Sequence, residues 1–90
     1  MSRVRIPPTL RAVTDGTKLV DVDGATVQEV VNNLIATYPG LAAQLLAPDG
    51  SVNSFVNVFL NDTDVRHLDG LATSVSDRDG IVLLPAMAGG

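Results

Sequence analysis

Between Thr26 and Pro39 the apolar residues Val27, Val30, Val31, Leu34, Ile35 and Tyr38 recur at i, i+3, i+4, i+7, i+8 and i+11. That spacing gathers them on one face of an α-helix, and the stripe must be buried against something apolar. Thr26 stands where an N-cap belongs and Glu29 follows three residues later. The pair has the form of a capping box, each side chain satisfying an otherwise unpaired backbone N–H. Pro39-Gly40 stops the helix. Gln28, Asn32, Asn33 and Thr37 fall on the solvent face. The β-branched residues in the stripe lower helix propensity slightly, and burial outweighs that cost.

A chain of 90 residues supports one domain with one core, so the helix must be covered by the rest of the sequence. The rest shows strand patterns. Val4 and Ile6 alternate with Arg3 and Arg5 until Pro7-Pro8, which cannot donate to a sheet ladder. Asp15-Gly16 signals a turn, and Lys18 to Val22 forms a second strand in a hairpin with the first. After the helix, Leu41 to Leu46 has the makings of a short helical turn and Ala47 to Ser51 of a loop. Phe55 to Leu60 is a strand, with Val56, Val58 and Leu60 on one side and Phe55, Asn57 and Phe59 on the other. Asn61-Asp62 turns the chain into a short strand around Thr63 to Arg66. Leu68 to Asp79 is mostly loop, with Leu71 and Val75 reaching the core. Asp77 to Gly80 leads into a last strand, Ile81 to Leu84, ended by Pro85.

The order is β-β-α-β-β-β, an α+β architecture: a mixed sheet of four to five strands with one main helix across a face. The first and last strands are expected to be a parallel central pair. The expected division is a domain over 1–85 and a flexible tail over 86–90. With three aromatic residues among the 90, the core is mostly aliphatic.

Charge and cysteine usage exclude several function classes. Six Lys and Arg oppose ten carboxylates for a net charge of −4, and no basic run could track a phosphate backbone. Nucleic acid is a poor partner; a basic protein surface is a better one. The absence of cysteine removes disulfides, thiolate nucleophiles and cysteine metal sites. The N-terminus lacks the apolar run of a signal peptide, and no stretch approaches the ~18–20 apolar residues of a membrane span. A cytoplasmic protein, monomeric when alone, is expected. His67, the only histidine, is a surface or turn residue rather than a metal ligand or catalyst, since no orienting partner is in view. Asp21-Val22-Asp23-Gly24 resembles a piece of a calcium loop, but position 32, where a bidentate Glu would stand, is Asn. No nucleophile–base pair and no phosphate-cradling loop is visible, so no catalytic residue is assigned and the chain is not expected to be an enzyme.

What remains is the end of the sequence. Gly89-Gly90 follows the last strand at once, separated by Pro85-Ala86-Met87-Ala88. A frayed terminus is the plain alternative. Without Cβ atoms, however, two glycines can enter a narrow channel, and five residues beyond Pro85 reach at most ~17 Å. That suffices to deliver a carboxylate into another protein's nucleotide site. Once converted to a mixed anhydride with AMP, the carboxyl carbon can be attacked by a persulfide sulfur, leaving a C-terminal thiocarboxylate.

Here the sequence resembles the bacterial ubiquitin-like sulfur carriers, whose fold is the β-grasp. The residues that carry the resemblance are Phe55-Val56-Asn57-Val58-Phe59-Leu60-Asn61-Asp62, Val65-Arg66, Gly70-Leu71-Ala72-Thr73, Asp79-Gly80 and the closing Leu84-Pro85-Ala86-Met87-Ala88-Gly89-Gly90. The family includes the thiamin-pathway carrier, the small subunit of molybdopterin synthase and the actinobacterial carrier for cysteine synthesis. Chain length, Val-Arg followed by Gly-Leu-Ala-Thr, and the Leu-Pro-Ala-x-Ala-Gly-Gly ending are most similar to the last of these. The resemblance implies that an activating enzyme adenylates Gly90 and installs sulfur. It also implies that a pyridoxal-phosphate cysteine synthase uses the thiocarboxylate with phosphoserine, and that a zinc peptidase releases the cysteine. ATP, pyridoxal phosphate and zinc would belong to those partners, and none is expected on this chain. Pro85, Met87, Ala88 and Gly89 would be the residues by which the tail is recognised. The alternatives are molybdopterin synthase small subunit and ubiquitin-like protein modifier or docking domain.

Phe55, Asn57, Phe59 and Leu84 form the candidate partner surface. If Val56, Val58 and Leu60 face the helix, both phenylalanines lie on the outer face of the sheet, where exposed aromatics mark interfaces. The other possibility is that Phe55 or Phe59 tucks under the Pro48–Ser51 loop.

Overall fold

The computed structural model describes residues 1–49 and 56–85, with only the backbone described at Pro85. The elements are β1 (Ser2–Arg5), β2 (Leu19–Val22), α1 (Val27–Thr37), α2 (Ala42–Leu45), β3 (Val56–Leu60), β4 (Thr63–Asp64) and β5 (Gly80–Pro85). The sheet order is β2-β1-β5-β3-β4. β1 and β5 run parallel at its centre, and every other neighbouring pair is antiparallel. This is the expected α+β β-grasp arrangement, with α2 as a short addition after the main helix.

The apolar alternation decides which face of the sheet meets α1. Val4, Val22, Val58, Leu60, Ile81 and Leu83 point inward and are buried with Val27, Val30, Val31 and Leu34 of the helix. Burying a side chain of this kind fully is worth about 1.5–3 kcal/mol. Ile35 and Tyr38 complete the stripe at its margin, half-buried against the core. Leu41 and Leu45, from the turn and helix after Pro39, close one end. Val75 is buried and Leu71 half-buried, as the two plugs of the long loop.

The helix start differs from expectation in one detail. The Thr26 hydroxyl oxygen accepts the Glu29 N–H at 3.2 Å as a cap should. The Glu29 carboxylate reaches back to the N–H of Ala25, one residue before the cap, at 3.4 Å. The first helical N–H, that of Val27, is taken by the Thr73 carbonyl at 3.0 Å, and Val75 N–H returns a bond to Ala25 at 2.9 Å. The long loop is thereby tied to the helix N-terminus. Gly24 lets the chain enter α1 closely: a Cβ there would lie 2.7 Å from both the backbone nitrogen and Cγ2 of Val30.

Two strand expectations need correction. The strand foreseen over Thr63 to Arg66 stops at Asp64 and gives way to a 3-10 turn, Val65–His67. The cause is local: the Asp64 carboxylate accepts the Arg66 backbone N–H at 2.9 Å, which curls the chain out of the ladder. Pro85 does not stand beyond the last strand but is its final residue, opposite Val56. The Asn61 turn is as expected, with Asn61 at φ 58°. Its side chain also joins two distant turns, accepting Gly80 N–H at 3.1 Å and donating to Asp79 at 3.2 Å.

Candidate functional site

Gly90, Gly89, Ala88, Met87 and Phe55 lie outside the described residues. The remaining candidates, Asn57, Phe59, Leu84 and Pro85, belong to the paired strands β3 and β5. Because side chains alternate along a strand, burial of Val58, Leu60, Ile81 and Leu83 against the helix turns Asn57, Phe59, Val82 and Leu84 to the opposite face. Register then makes Asn57 the direct neighbour of Leu84, and Phe59 that of Val82. Three residues singled out from the sequence are thus brought together. Leu84 is 45% exposed, whereas Phe59 and Asn57 are half-buried, so the aromatic ring is partly covered rather than standing free.

The face extends further than the sequence reading indicated. Across β1 and β2, Arg5 pairs in register with Val82 on one side and Leu19 on the other. Leu19, Arg5, Val82 and Phe59 therefore form a row over four strands, with Leu19 49% exposed at its end. The period-two alternation of Ile81, Val82, Leu83 and Leu84 could have identified Val82. The position of Arg5 beside it depends on the parallel β1–β5 register.

At the β4 edge the face ends in a polar clamp. Arg66 Nη2 donates to Asn57 Oδ1 at 2.6 Å and to Asp64 Oδ2 at 2.8 Å, while its Nε donates to the Asp64 carboxylate at 3.2 Å. The Arg66 guanidinium, and then its backbone N–H, hold the Asp64 carboxyl well below the usual range, at about 2. Asn57 is therefore an anchor for Arg66 and holds the Val65–His67 turn against β3. On the other edge Arg3 pairs with Asp21 at 3.3 Å. Turn geometry also accounts for the remaining sequence candidates. His67 is exposed in its 3-10 turn, and Asp23 offers its carbonyl to Asn33 at 2.8 Å. Among the described residues no group of three His, Asp or Glu is placed to hold a metal ion.

β5 ends at Pro85, opposite Val56, and so directs the chain toward residues 86–90 from the Asn57–Leu84 end of this face. The outer face of the sheet is thus a partly exposed surface of mixed apolar and polar residues beside the strand that precedes residues 86–90.

The ThiS family model matches residues 4–90. Sulfur carrier protein CysO of Mycobacterium tuberculosis is 44% identical over 89 residues, covering 97% of this chain and 96% of that protein. Small archaeal modifier protein 3 of Haloferax volcanii is 47% identical over 68 residues, covering 76% of this chain and 73% of its own. Among solved structures, the Amycolatopsis orientalis BexX/CysO complex contains a chain that superposes with a TM-score of 0.90 at 40% identity, each chain being covered completely. On a family match that runs from β1 to the final glycine, and on an identity of 44% over nearly the whole chain, this protein belongs to the ThiS family.

Proposed function

We propose that this chain is a sulfur carrier whose working group is the carboxylate of Gly90. The observation that carries the reading is the family match through Gly90, together with near full-length identity to a protein named as a sulfur carrier. The chain is a carrier substrate rather than an enzyme. A partner adenylates Gly90, releasing pyrophosphate; a sulfur nucleophile then displaces AMP to give a C-terminal acyl-sulfur species. Where the nucleophile is a persulfide, a thiol cleaves the resulting acyl disulfide to the thiocarboxylate. Gly89 serves by lacking a side chain, and Pro85, Met87 and Ala88 are the positions by which the partner reads the segment 86–90 beyond the domain 1–85.

The sulfur is destined for cysteine synthesis from phosphoserine, a reading supported by similarity to CysO over 97% of the chain. The partners are an adenylating, sulfur-transferring enzyme, a pyridoxal-phosphate cysteine synthase and a zinc peptidase, and ATP, pyridoxal phosphate and zinc reside on them. That a neighbour at 40% identity crystallised in complex with BexX supports docking by a protein partner. The outer face around Asn57, Phe59 and Leu84, with Phe55, is the surface assigned to it. No helix among the described residues is long and apolar enough to cross a membrane. Dependence on ATP places the carrier in the cytoplasm.

A second reading is favoured by the identity of 47% to a small archaeal modifier protein: Gly90 joined to a lysine amine by an isopeptide bond. Intact mass and alkylation separate the two. After co-production with the sulfur-transfer enzymes, the carrier should gain a product in which sulfur replaces one oxygen and which an alkylating reagent traps at the C-terminus. Methionine oxidation adds nearly the same mass and must be excluded by mapping the product to Gly90. Deletion of Gly90 should abolish trapping while the domain stays folded. Persistence of trapping after that deletion would refute the carrier reading, and branched peptides ending in Gly-Gly on lysine would select the modifier. Cysteine found attached to Gly90 would fix the pathway.

A further inference from the structure

Beside the exit of β5 lies a shallow groove of ≈ 180 Å³ between the Pro7-Pro8 turn and the strand end, with Val82 and Leu84 on its strand side. Arg5 and Arg11 both line it, and among the described residues no carboxylate does. Three other grooves on the surface each carry at least one aspartate. The contrast is with a chain of net charge −4 in which Arg3 and Arg66 are already paired to Asp21 and Asp64. Among the described residues Arg5 and Arg11 have no ion-pair partner; Arg11 is fixed only by donating to the Ile6 carbonyl at 3.2 Å.

The groove also limits what kind of anion it can take. Of the wall residues Pro7, Pro8 and Thr9 only Thr9 has a backbone N–H, so the wall lacks the run of successive donors that makes a phosphate cradle. Two guanidiniums over an apolar floor suit a carboxylate carried on a protein segment that also inserts an apolar side chain. We infer that Arg5 and Arg11 receive an acidic–apolar segment of the adenylating partner, docking it beside the strand that leads to Gly90. This deepens the proposed function and rests on it.

The test is steady-state thiocarboxylate formation with the purified adenylating enzyme, varying carrier and ATP separately. Arg5 makes no side-chain hydrogen bond among the described residues, so Arg5→Glu should leave thermal unfolding unchanged. It should raise the KM for carrier by about tenfold while kcat and the KM for ATP change little, and Arg5→Lys should recover part of the loss. Arg11→Glu should act in the same direction. The wild-type KM should rise with salt and that of Arg5→Glu should not. Arg78→Glu, at the opposite end of β5, should match wild type. An unchanged KM for carrier in Arg5→Glu overturns the inference. A change confined to the KM for ATP overturns it in favour of a nucleotide phosphate, and faster turnover overturns it in favour of the chain's own terminal carboxylate. If wild type forms no thiocarboxylate, the carrier reading fails and takes the inference with it.

Discussion

At the scale of single residues, the positions that set the geometry are those where one atom decides whether the chain can pass. Gly24 is the clearest. An added Cβ would meet Val30 at 2.7 Å through both its backbone nitrogen and Cγ2. The backbone nitrogen of a helix cannot step aside without moving the helix. Gly24→Ala should therefore destabilise the domain by about 1–3 kcal/mol, read as a lower urea midpoint at unchanged slope. Gly16 sits at φ 82° with open space around it, so a substitution there meets backbone strain but no neighbour. The Asp15-Gly16 turn was legible from its dipeptide. The closeness of Gly24 to Val30 was not, because it depends on how β2 and α1 pack.

At the scale of elements, α1 was almost wholly readable: its stripe, its Thr26 cap and its stop before Pro39 all lie within one continuous segment. Thr26→Ala should cost about 1 kcal/mol, since it removes the bond to Glu29 N–H. In a domain this small, thermal unfolding should fall by about 4–8 °C. β4 is shorter than its sequence pattern suggests because Val65 favours a strand while the Asp64 side chain closes a turn on Arg66, a competition of short-range terms. The Asp64 carboxyl has a testable signature. Its folded value is depressed to about 2 from an ordinary 3.8. Its contribution is therefore fully present above the ordinary value and is lost as pH falls through about 2. A carbon-detected titration of Asp64 should show its midpoint near 2 in the wild type and closer to the ordinary value in Arg66→Ala. A wild-type midpoint near 3.8 would mean that the clamp does not persist in solution.

At the scale of the whole molecule, the two faces of the sheet have different work. The inner face is closed by α1, and the outer row of Leu19, Arg5, Val82 and Phe59 is the surface proposed above for a protein partner. Phe59→Ala removes a half-buried ring outside the core, so the principal loss should be in partner affinity. Titration with the activating enzyme should show at least a fivefold weaker Kd, about 1 kcal/mol, with cooperative unfolding retained. Unchanged affinity would take Phe59 out of the interface. The sequence by itself determined the helix and its limits, the strand segments other than β4, and a family resemblance that ends on Gly89-Gly90. Each of these rests on local periodicity, on the fixed backbone chemistry of proline and glycine, or on a contiguous motif. Only the tertiary structure decided that Arg5 stands between Leu19 and Val82, that Arg5 and Arg11 share one groove, and that Asn57 anchors Arg66. Those neighbours are set by strand register and by the path of the chain around Pro7-Pro8, which join residues that no local pattern connects.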